Sequence, residues 1–318
     1  MEEVRFRLAR LSDFDEVVNL SRGIYKGHDY LPLEFHRWMK MGDFAVMVAV
    51  VGEKLVGLRA GFIVDDGKTC IRRAGRVLPE YRGRGVSKKL SQVLDEYVRH
   101  NFPSVIRVRF VTRYNDFSEN SLAKLKTIRQ FEALSYDIGR EEAPRAKEKS
   151  QEIPAVGIAR CTKEYISDVI FSSPAGQQLC SDGILLYDRL PFELRSSNFE
   201  KLLEEFENLE FYTEKCCANS FPKSFSFGCV TPRVDYIHWT TYIYASDVCL
   251  YQAHLLHQFK RACEAIKGRF IFVSSVQSER LSSHGKILME DKLHLKKSDN
   301  LQEIKLYIFE LDLLQRDS

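Results

Sequence analysis

The stretch that decides the fold is Leu78-Pro79-Glu80-Tyr81-Arg82-Gly83-Arg84-Gly85-Val86-Ser87. The residues at 69–77 before it have the composition of a strand, and those from 88 to about 100 that of a helix. A turn from a strand into a helix presents unpaired backbone N–H groups and the positive end of the helix dipole. Gly83 and Gly85 can adopt positive φ angles, which lets an anion approach the backbone closely. The stretch therefore predicts an anion-binding loop.

Basic residues are concentrated on both sides of this loop. Positions 68–113 contain twelve Lys or Arg residues and three acidic ones, whereas the net charge of the whole chain is only +3. Such a local excess of positive charge favours a polyphosphate ligand. A nucleic-acid surface is the alternative. We prefer the polyphosphate, because no nucleic-acid-binding motif accompanies the charges and no aromatic residues are interleaved with them for stacking.

The spacing within the loop excludes two common nucleotide sites. Neither Gly-x-x-x-x-Gly-Lys-Ser/Thr nor Gly-x-Gly-x-x-Gly is present. The motif Arg82-x-x-Gly85-x-Ser87 resembles the Arg/Gln-x-x-Gly-x-Gly/Ala loop of the GNAT acetyltransferases, which holds the pyrophosphate of acetyl-CoA. The resemblance implies acetyl-CoA as co-substrate, with loop ligands Arg82, Gly83, Arg84, Gly85, Val86 and Ser87. The Ser87 hydroxyl can also cap the helix.

The predicted elements of residues 1–140 follow the order β-α-α-β-β-β-α-β-α-β, which matches the GNAT fold. The last helix is predicted at 118–131 and the last strand at 134–138. Gly75 lies inside the strand before the loop, where a lone glycine often marks a bulge. GNAT enzymes have a bulge in this strand, so the resemblance implies that freed backbone groups at Val77 and Leu78 bind pantetheine. A glycine needed only for packing is the alternative.

The first 115 residues resemble the vertebrate histidine N-acetyltransferase group. The similarity is carried by Ile24-Tyr25-x-Gly27-x-Asp29-Tyr30-Leu31-Pro32 with Phe35 and Trp38, and by Arg76-Val77-x-Pro79. It implies transfer of an acetyl group to the α-amine of a free amino acid, with histidine as the type substrate. We expect Asp29 to hold an ammonium and Arg73 or Arg76 a carboxylate, and His28 to be a solvated loop residue. The predicted acceptor-binding residues are Tyr25, Asp29, Tyr30 and Arg73.

Two positions depart from this resemblance and leave the catalytic residues unassigned. Arg73 replaces the Glu that the group has in this strand, where GNAT enzymes often keep a general base, and arginine cannot accept a proton. Many GNAT enzymes protonate the thiolate with a Tyr that would fall near Thr127, and no Tyr lies between Asn115 and Ser135. An α-amine with a pKa near 8 is partly neutral at pH 7.5, so attack without a strong base is feasible. The alternatives are another small amine or a protein N-terminus as acceptor, or a non-catalytic acyl-CoA-binding protein.

The second half of the chain repeats the order of the first without its loop. Residues 141–152 are polar, of mixed charge and broken by Pro144, which predicts an exposed linker. At 234–267 a strand leads into a long helix through Ala245-Ser246-Asp247, where an acidic cap would repel a pyrophosphate. We therefore predict an α/β (mixed, α+β sheet) protein with a GNAT domain at 1–140 and a degenerate GNAT-like domain without a cofactor loop at 153–318. An unrelated second α/β domain is the alternative.

Composition excludes several other classes. The chain is 44% hydrophobic and 29% charged, no apolar run approaches 18 residues, and the N-terminus lacks the apolar core of a signal peptide. Eight cysteines without a regular framework fit a reducing compartment. We expect a cytoplasmic protein with a small-molecule amine or amino acid as its partner and no membrane or nucleic-acid partner. His254 and His257 share a helix face without a third ligand, so we expect no metal; the oligomeric state stays open.

Overall fold

The computed structural model describes residues 3–22, 24–114, 122–206, 208–215, 221–245, 247–299 and 304–314. In these ranges the helices are α1 (Phe14–Ser21), α2 (Leu31–Trp38), α3 (Val86–Asn101), α4 (Glu142–Glu152), α5 (Lys163–Ile166), α6 (Pro174–Leu179), α7 (Ser196–Glu205), α8 (Val248–Ala265) and α9 (Glu279–Lys286). The strands of the first half are β1 (Arg5–Leu8), β2 (Phe44–Val51), β3 (Lys54–Val64), β4 (Thr69–Val77), β5 (Arg107–Thr112) and β6 (Lys126–Ile138). Those of the second half are β7 (Ile158–Cys161), β8 (Ile184–Tyr187), β9 (Leu190–Glu193), β10 (Glu210–Glu214), β11 (Ser224–Pro232), β12 (Ile237–Ala245), β13 (Phe270–Val276), β14 (Lys296–Lys297) and β15 (Ile304–Asp312).

One mixed sheet runs through both halves. Its strand order is β1-β2-β3-β4-β5-β15-β6-β13-β12-β11-β10-β7, and β14 pairs with β6. Neighbouring strands on this path are antiparallel except for two parallel pairs, β4 with β5 and β12 with β13. Each parallel pair begins at the fourth strand from its own edge of the sheet. Counted from its own edge of the sheet, each half therefore has the same order of antiparallel and parallel strand pairs, and the two halves meet at the centre of the sheet.

The last strand ties the halves together at that centre. β15 lies between β5 and β6, so that Ile308 faces Val111 on one side and Arg129 on the other. β6 pairs in turn with β13 of the second half. The sheet of the first half is thus completed by residues 304–312, and that of the second half by residues 126–138.

The sheet of the first half is covered by helices on both faces. In β2, Ala45, Met47 and Ala49 belong to the buried cluster that contains α3, whereas Val46 and Val48 belong to the cluster of α1 and α2. Burial on both faces explains why this strand is an almost continuous apolar run. The arrangement holds the N-terminus of α3 at the end of β4, where the glycine loop connects them.

Two predicted elements differ from the structure. The helix predicted at 118–131 is wrong over its second part, because β6 begins at Lys126; residues 115–121 lie outside the described ranges. The predicted exposed linker at 141–152 forms α4, which buries Ala143, Ala146 and Ser150 and packs against α8. Small buried side chains give little apolar signal, and Pro144 falls in the first turn, where proline is tolerated. The division into domains at 1–140 and 153–318 stays a prediction.

Candidate active site

The strand before the glycine loop carries a bulge. Leu58 of β3 pairs with Arg76 and Ala60 pairs with Arg73, so two residues of β4 lie opposite one residue of β3. Those two residues are Ala74, with a φ of 56°, and Gly75. A Cβ atom at position 75 would lie 2.9 Å from a guanidinium nitrogen of Arg59. The bulge predicted from Gly75 is confirmed, and the missing side chain leaves room for that guanidinium.

Beyond its first residues β4 separates from β5. The two strands pair only from Thr69–Ile71 to Arg107–Arg109, although β4 continues to Val77 and β5 to Thr112. A cavity of about 1580 Å³ lies at this split, and residues of both halves line it. The glycine loop is part of its lining. Tyr25, Tyr30 and side chains of the second half also line it, and we call the part of the cavity at these residues the chamber.

The glycine loop has the backbone geometry expected of an anion site. Gly83 and Gly85 have φ angles of 73° and 76°, and α3 begins directly after Gly85 without a side-chain cap. A Cβ atom at either glycine would meet no protein atom within 4 Å, so the space in front of the loop is open. The Ser87 hydroxyl accepts a hydrogen bond from Arg59 at 3.0 Å instead of capping the helix. The N–H groups of the first turn are therefore available to a ligand.

Six of the eight predicted cofactor residues line the cavity: Val77, Arg82, Gly83, Gly85, Val86 and Ser87. Leu78 and Arg84 are not among the lining residues. The Leu78 N–H donates to the Val56 carbonyl at 2.9 Å, and the Arg84 guanidinium lies 5.2 Å from the centre of the Tyr81 ring. The cofactor-binding role of all eight residues stays a prediction.

Four arginines of β3 and β4 line the cavity, and three of them are bound to carboxylates. Arg72 binds Asp95 of α3 (Nε–Oδ1 3.1 Å), Arg73 binds Glu205 of α7 at 2.7 Å, and Arg76 binds Asp29 at 2.5 Å. The fourth, Arg59, contacts only a hydroxyl among its described hydrogen bonds. Burial and the neighbouring Arg72 lower the pKa of Arg59 to about 10. This positive charge next to the loop would gain most from a bound anion.

Three of the four predicted acceptor residues line the cavity, and one lies behind it. Tyr25, Tyr30 and Arg73 face the chamber. Asp29 is 1% exposed, and its carboxylate accepts hydrogen bonds from Arg76 and from the Leu31 N–H at 3.0 Å. Burial alone would raise the pKa of Asp29, but the Arg76 cation outweighs it and lowers that pKa. The role of Asp29 as an ammonium ligand stays a prediction, although its charge is already paired.

The far wall of the chamber comes from the second half. The turn between β8 and β9 contributes Asp188 and Arg189, and β12 contributes Tyr242. Both turn residues have positive φ angles, 41° and 66°, which non-glycine residues rarely adopt. The Arg233 guanidinium binds Asp188 at 2.9 Å, whereas no carboxylate of the described ranges pairs with Arg189. No sequence motif marks these residues, because only the tertiary fold brings this turn to the glycine loop's cavity.

A pair of histidines joins the two halves beside the chamber. His28 Nδ1 lies 2.9 Å from His238 Nε2, and the His28 ring stacks on Tyr236 with 3.9 Å between the ring centres. Burial and the nearby Arg233 lower the pKa of both imidazoles, that of His238 to about 2, so both are neutral at pH 7. The prediction that His28 is a solvated loop residue is wrong. The turn before β12 covers it, with the Val234 N–H donating to the Asp29 carbonyl at 2.9 Å.

The equivalent position in the second half is built differently. The Asp247 side chain accepts the Leu250 N–H at 2.9 Å and so occupies the N-terminus of α8. β12 and β13 stay paired over five residues, from His238 to Tyr242. Both features agree with the prediction of a second GNAT-like domain without a cofactor loop.

The described ranges contain neither a cluster of metal-ligating side chains nor a membrane-spanning helix. No group of three His, Cys, Asp or Glu residues stands close enough there to hold a metal ion. His254 lies between the Ser224 and Ser226 hydroxyls at 2.9 and 2.8 Å. None of the described helices has the length and apolar composition to cross a membrane.

Comparison with known proteins gives matches in both halves. The model of the GNAT acetyltransferase family matches residues 13–125, and that of the histidine N-acetyltransferase C-terminal domain matches residues 155–277. Histidine N-acetyltransferase of Xenopus tropicalis is 38% identical over 126 residues, which are 40% of this chain and 39% of that protein. Histidine N-acetyltransferase of Oreochromis niloticus is 25% identical over 283 residues, 83% of this chain and 81% of that protein.

Solved structures show the same architecture. A tandem GNAT protein from the clavulanic acid biosynthesis pathway, solved without acetyl-CoA, superposes with a TM-score of 0.55 at 12% identity, covering 98% of this chain and 99% of that one. Together with the split strands and the glycine loop, these matches show that the chain has the GNAT fold, and its residues 13–125 match the model of the GNAT acetyltransferase family. The chain also resembles the histidine N-acetyltransferases in both halves. The resemblance and the fold class predicted from the sequence are confirmed.

Proposed function

We propose that the protein transfers the acetyl group of acetyl-CoA to the α-amine of a small, histidine-like amino acid. The observation that carries this proposal is the single cavity that joins the glycine loop to a chamber closed by both halves. Its volume of about 1580 Å³ exceeds the roughly 300–1,000 Å³ of a pocket for one small ligand. The cavity is therefore large enough for both substrates at once, as direct attack in a ternary complex requires.

The loop end of the cavity suits the pyrophosphate and pantetheine of acetyl-CoA. Gly83 and Gly85 leave the approach to the first-turn amides of α3 open. Arg59 and Arg82 line the same end and add positive charge. The Val77 carbonyl, which accepts from Arg82 Nε at 3.1 Å, lies on the free edge of β4 where an extended arm can bind by backbone hydrogen bonds.

The chamber end suits an amine that carries a carboxylate. Arg73, Arg76 and Arg233 are each bound to a carboxylate of the protein, so hydrogen-bond donors of these guanidinium groups are already occupied. Arg189 has no such partner in the described ranges, and its side chain is exposed in the cavity. We therefore assign the acceptor carboxylate to Arg189 in place of Arg73 or Arg76. The neutral imidazoles of His28 and His238 add polar groups without further charge.

Release of free CoA thiol from acetyl-CoA tests the proposal directly. We expect thiol release that requires an acceptor, with histidine the best of a panel of free amino acids and amines. Mass spectrometry should show a product heavier than the acceptor by one acetyl group. Thermal stabilisation by CoA without turnover on any small acceptor would contradict the proposal. Turnover only on amines without a carboxylate would reassign the acceptor.

Arg189→Gln tests the acceptor assignment. Loss of a charge-assisted contact of about 1.5–3 kcal/mol should raise the KM for the amino acid about 10–100-fold. The KM for the corresponding decarboxylated amine should stay the same, as should the KM for acetyl-CoA. Arg160→Gln on the exposed face of β7 is the matched control and should change none of these values. An equal rise for both acceptors would show that Arg189 supports the fold of the chamber instead.

A further inference from the structure

We propose that Tyr30 accepts the proton of the acceptor amine, in place of the glutamate that Arg73 replaces. The inference rests on the proposed function, because it concerns the amine of the same acceptor. Tyr30 precedes α2, and its side chain lines the chamber opposite the bulged part of β4. The residue thus borders the space for the acceptor, although it lies outside the strand in which a general base was expected.

Three guanidinium groups surround the Tyr30 ring. Their central carbons lie 5.1 Å (Arg73), 5.1 Å (Arg76) and 5.4 Å (Arg233) from the ring centre. Cations at this distance stabilise a phenolate relative to a phenol. Burial alone would raise the pKa of Tyr30, and Asp188 acts in the same direction, but Arg73 and Arg76 outweigh them and lower that pKa. The three guanidinium groups therefore favour the phenolate form of Tyr30, which is the form that can accept a proton.

A second, smaller cavity adjoins the first at this residue. It has a volume of about 180 Å³, and Tyr30, Arg73, Asp188 and Arg233 line both cavities. Glu34 and Glu205 line only the smaller one. At about 30 Å³ per water molecule, this polar space has room for several waters. Tyr30 therefore stands between the acceptor chamber and a route by which a proton can leave.

The other buried titratable groups of the chamber are less suited to this role. His28 and His238 are bound to each other, and lowered pKa values make both imidazoles weak proton acceptors. Asp29 and Glu205 are each bound to a guanidinium, which stabilises their anionic form. The Tyr30 phenol faces the chamber, and the surrounding guanidinium groups favour its phenolate form. A phenolate is a stronger base than a carboxylate, so it is the better proton acceptor of the two.

The proton balance of the reaction follows from this assignment. The acceptor enters as an ammonium and loses two protons in becoming an amide. The Tyr30 oxygen takes the first proton, and the freed nitrogen lone pair attacks the thioester carbonyl carbon. The N–C bond forms as the C–S bond breaks, and the sulfur keeps the electron pair and takes the second proton. The first proton then leaves Tyr30 through the smaller cavity.

Tyr30→Phe tests the inference by its kcat and pH profile. Loss of a general base should lower kcat about 10²–10⁴-fold and leave the KM for acetyl-CoA unchanged. The remaining rate should rise with pH through the amine's own pKa near 8, instead of through the ionisation of Tyr30. Tyr97→Phe removes a hydroxyl on α3 outside both cavities and should keep the wild-type profile. Thermal unfolding of both variants checks that the fold is intact.

A fluorinated tyrosine at position 30 gives a second readout that preserves the side chain. Because its phenol is more acidic, the acidic limb of the kcat profile should move to lower pH. An unmoved limb, or a Tyr30→Phe variant with wild-type kcat and profile, would overturn the inference and leave the proposed function standing. A wild-type protein that acetylates no acceptor would overturn both.

Discussion

Gly85→Val should abolish the thermal stabilisation by CoA and lower kcat/KM by about 10²-fold or more, because cofactor misplacement by about 1 Å already has effects of that size. Gly85 has a φ of 76° and ends the loop before α3. No protein atom would lie within 4 Å of the added Cβ, so the apoprotein has space for the side chain. The added methyl groups instead occupy the space through which a phosphate reaches the first-turn amides. Differential scanning fluorimetry with CoA and the thiol assay measure both effects.

Gly52→Val is the matched control for backbone strain. Gly52 has a φ of 58° in the turn between β2 and β3, and a Cβ there would also meet no protein atom within 4 Å. A valine in the left-handed region costs about 1–2 kcal/mol at either site. Both variants should therefore lose similar stability, and only Gly85→Val should lose the response to CoA. If Gly85→Val binds CoA as the wild type does, the loop is not the pyrophosphate site.

Asp29→Asn should lower the free energy of unfolding by about 3–5 kcal/mol, since it leaves a buried cation without its partner. Asp29 and Arg76 are 1% and 5% exposed, and their side chains form two hydrogen bonds at 2.5 and 3.2 Å. Asparagine keeps the size and the acceptor for the Leu31 N–H but removes the charge. Urea unfolding at neutral pH measures the difference.

The pH dependence of that difference follows from the lowered pKa of Asp29. The ion pair contributes its full stability above the unfolded pKa, about 3.9 for aspartate. This contribution is lost as the pH falls through the lower, folded-state pKa. The gap between wild type and variant should therefore be constant from pH 5 to 8 and shrink below about pH 4. Glu80→Gln in the exposed pair with Lys54 (2.9 Å) is the control and should have no measurable effect. An Asp29→Asn variant as stable as this control would show that the buried pair contributes nothing.

The glycine loop and the bulge could be predicted from the sequence because their geometry depends on local residues. Gly83 and Gly85 are found with the positive φ angles that the motif requires, and Gly75 lies in the bulge that it marks. The strand, loop and helix also follow one another directly along the chain. Local steric preferences are sufficient to place such a site.

The acceptor chamber could not be predicted in the same way. Arg189 and His238 reach it only because the second half packs across the first, and nothing in their sequence neighbourhood indicates this. Lys126 and the residues after it have a helix-compatible composition, and they form a strand because β13 and β15 pair with them from far along the chain. Long-range pairing overrides local preference in such strands. Arg73 shows the same limit, since its partner Glu205 is 132 residues away.

The position of β15 also determines when the protein can become active during its synthesis. A ribosome delivers the first half of the chain long before residues 304–312 emerge, and domains normally fold as they appear. Here β5 and β6 have no strand between them until β15 arrives, so the nascent first half keeps open sheet edges of the kind that invite wrong pairing. The split strands and the chamber can therefore form together only after nearly all of residues 304–312 have been translated. We therefore expect a chain that ends before residue 304 to lack the completed sheet even when it carries the whole glycine loop.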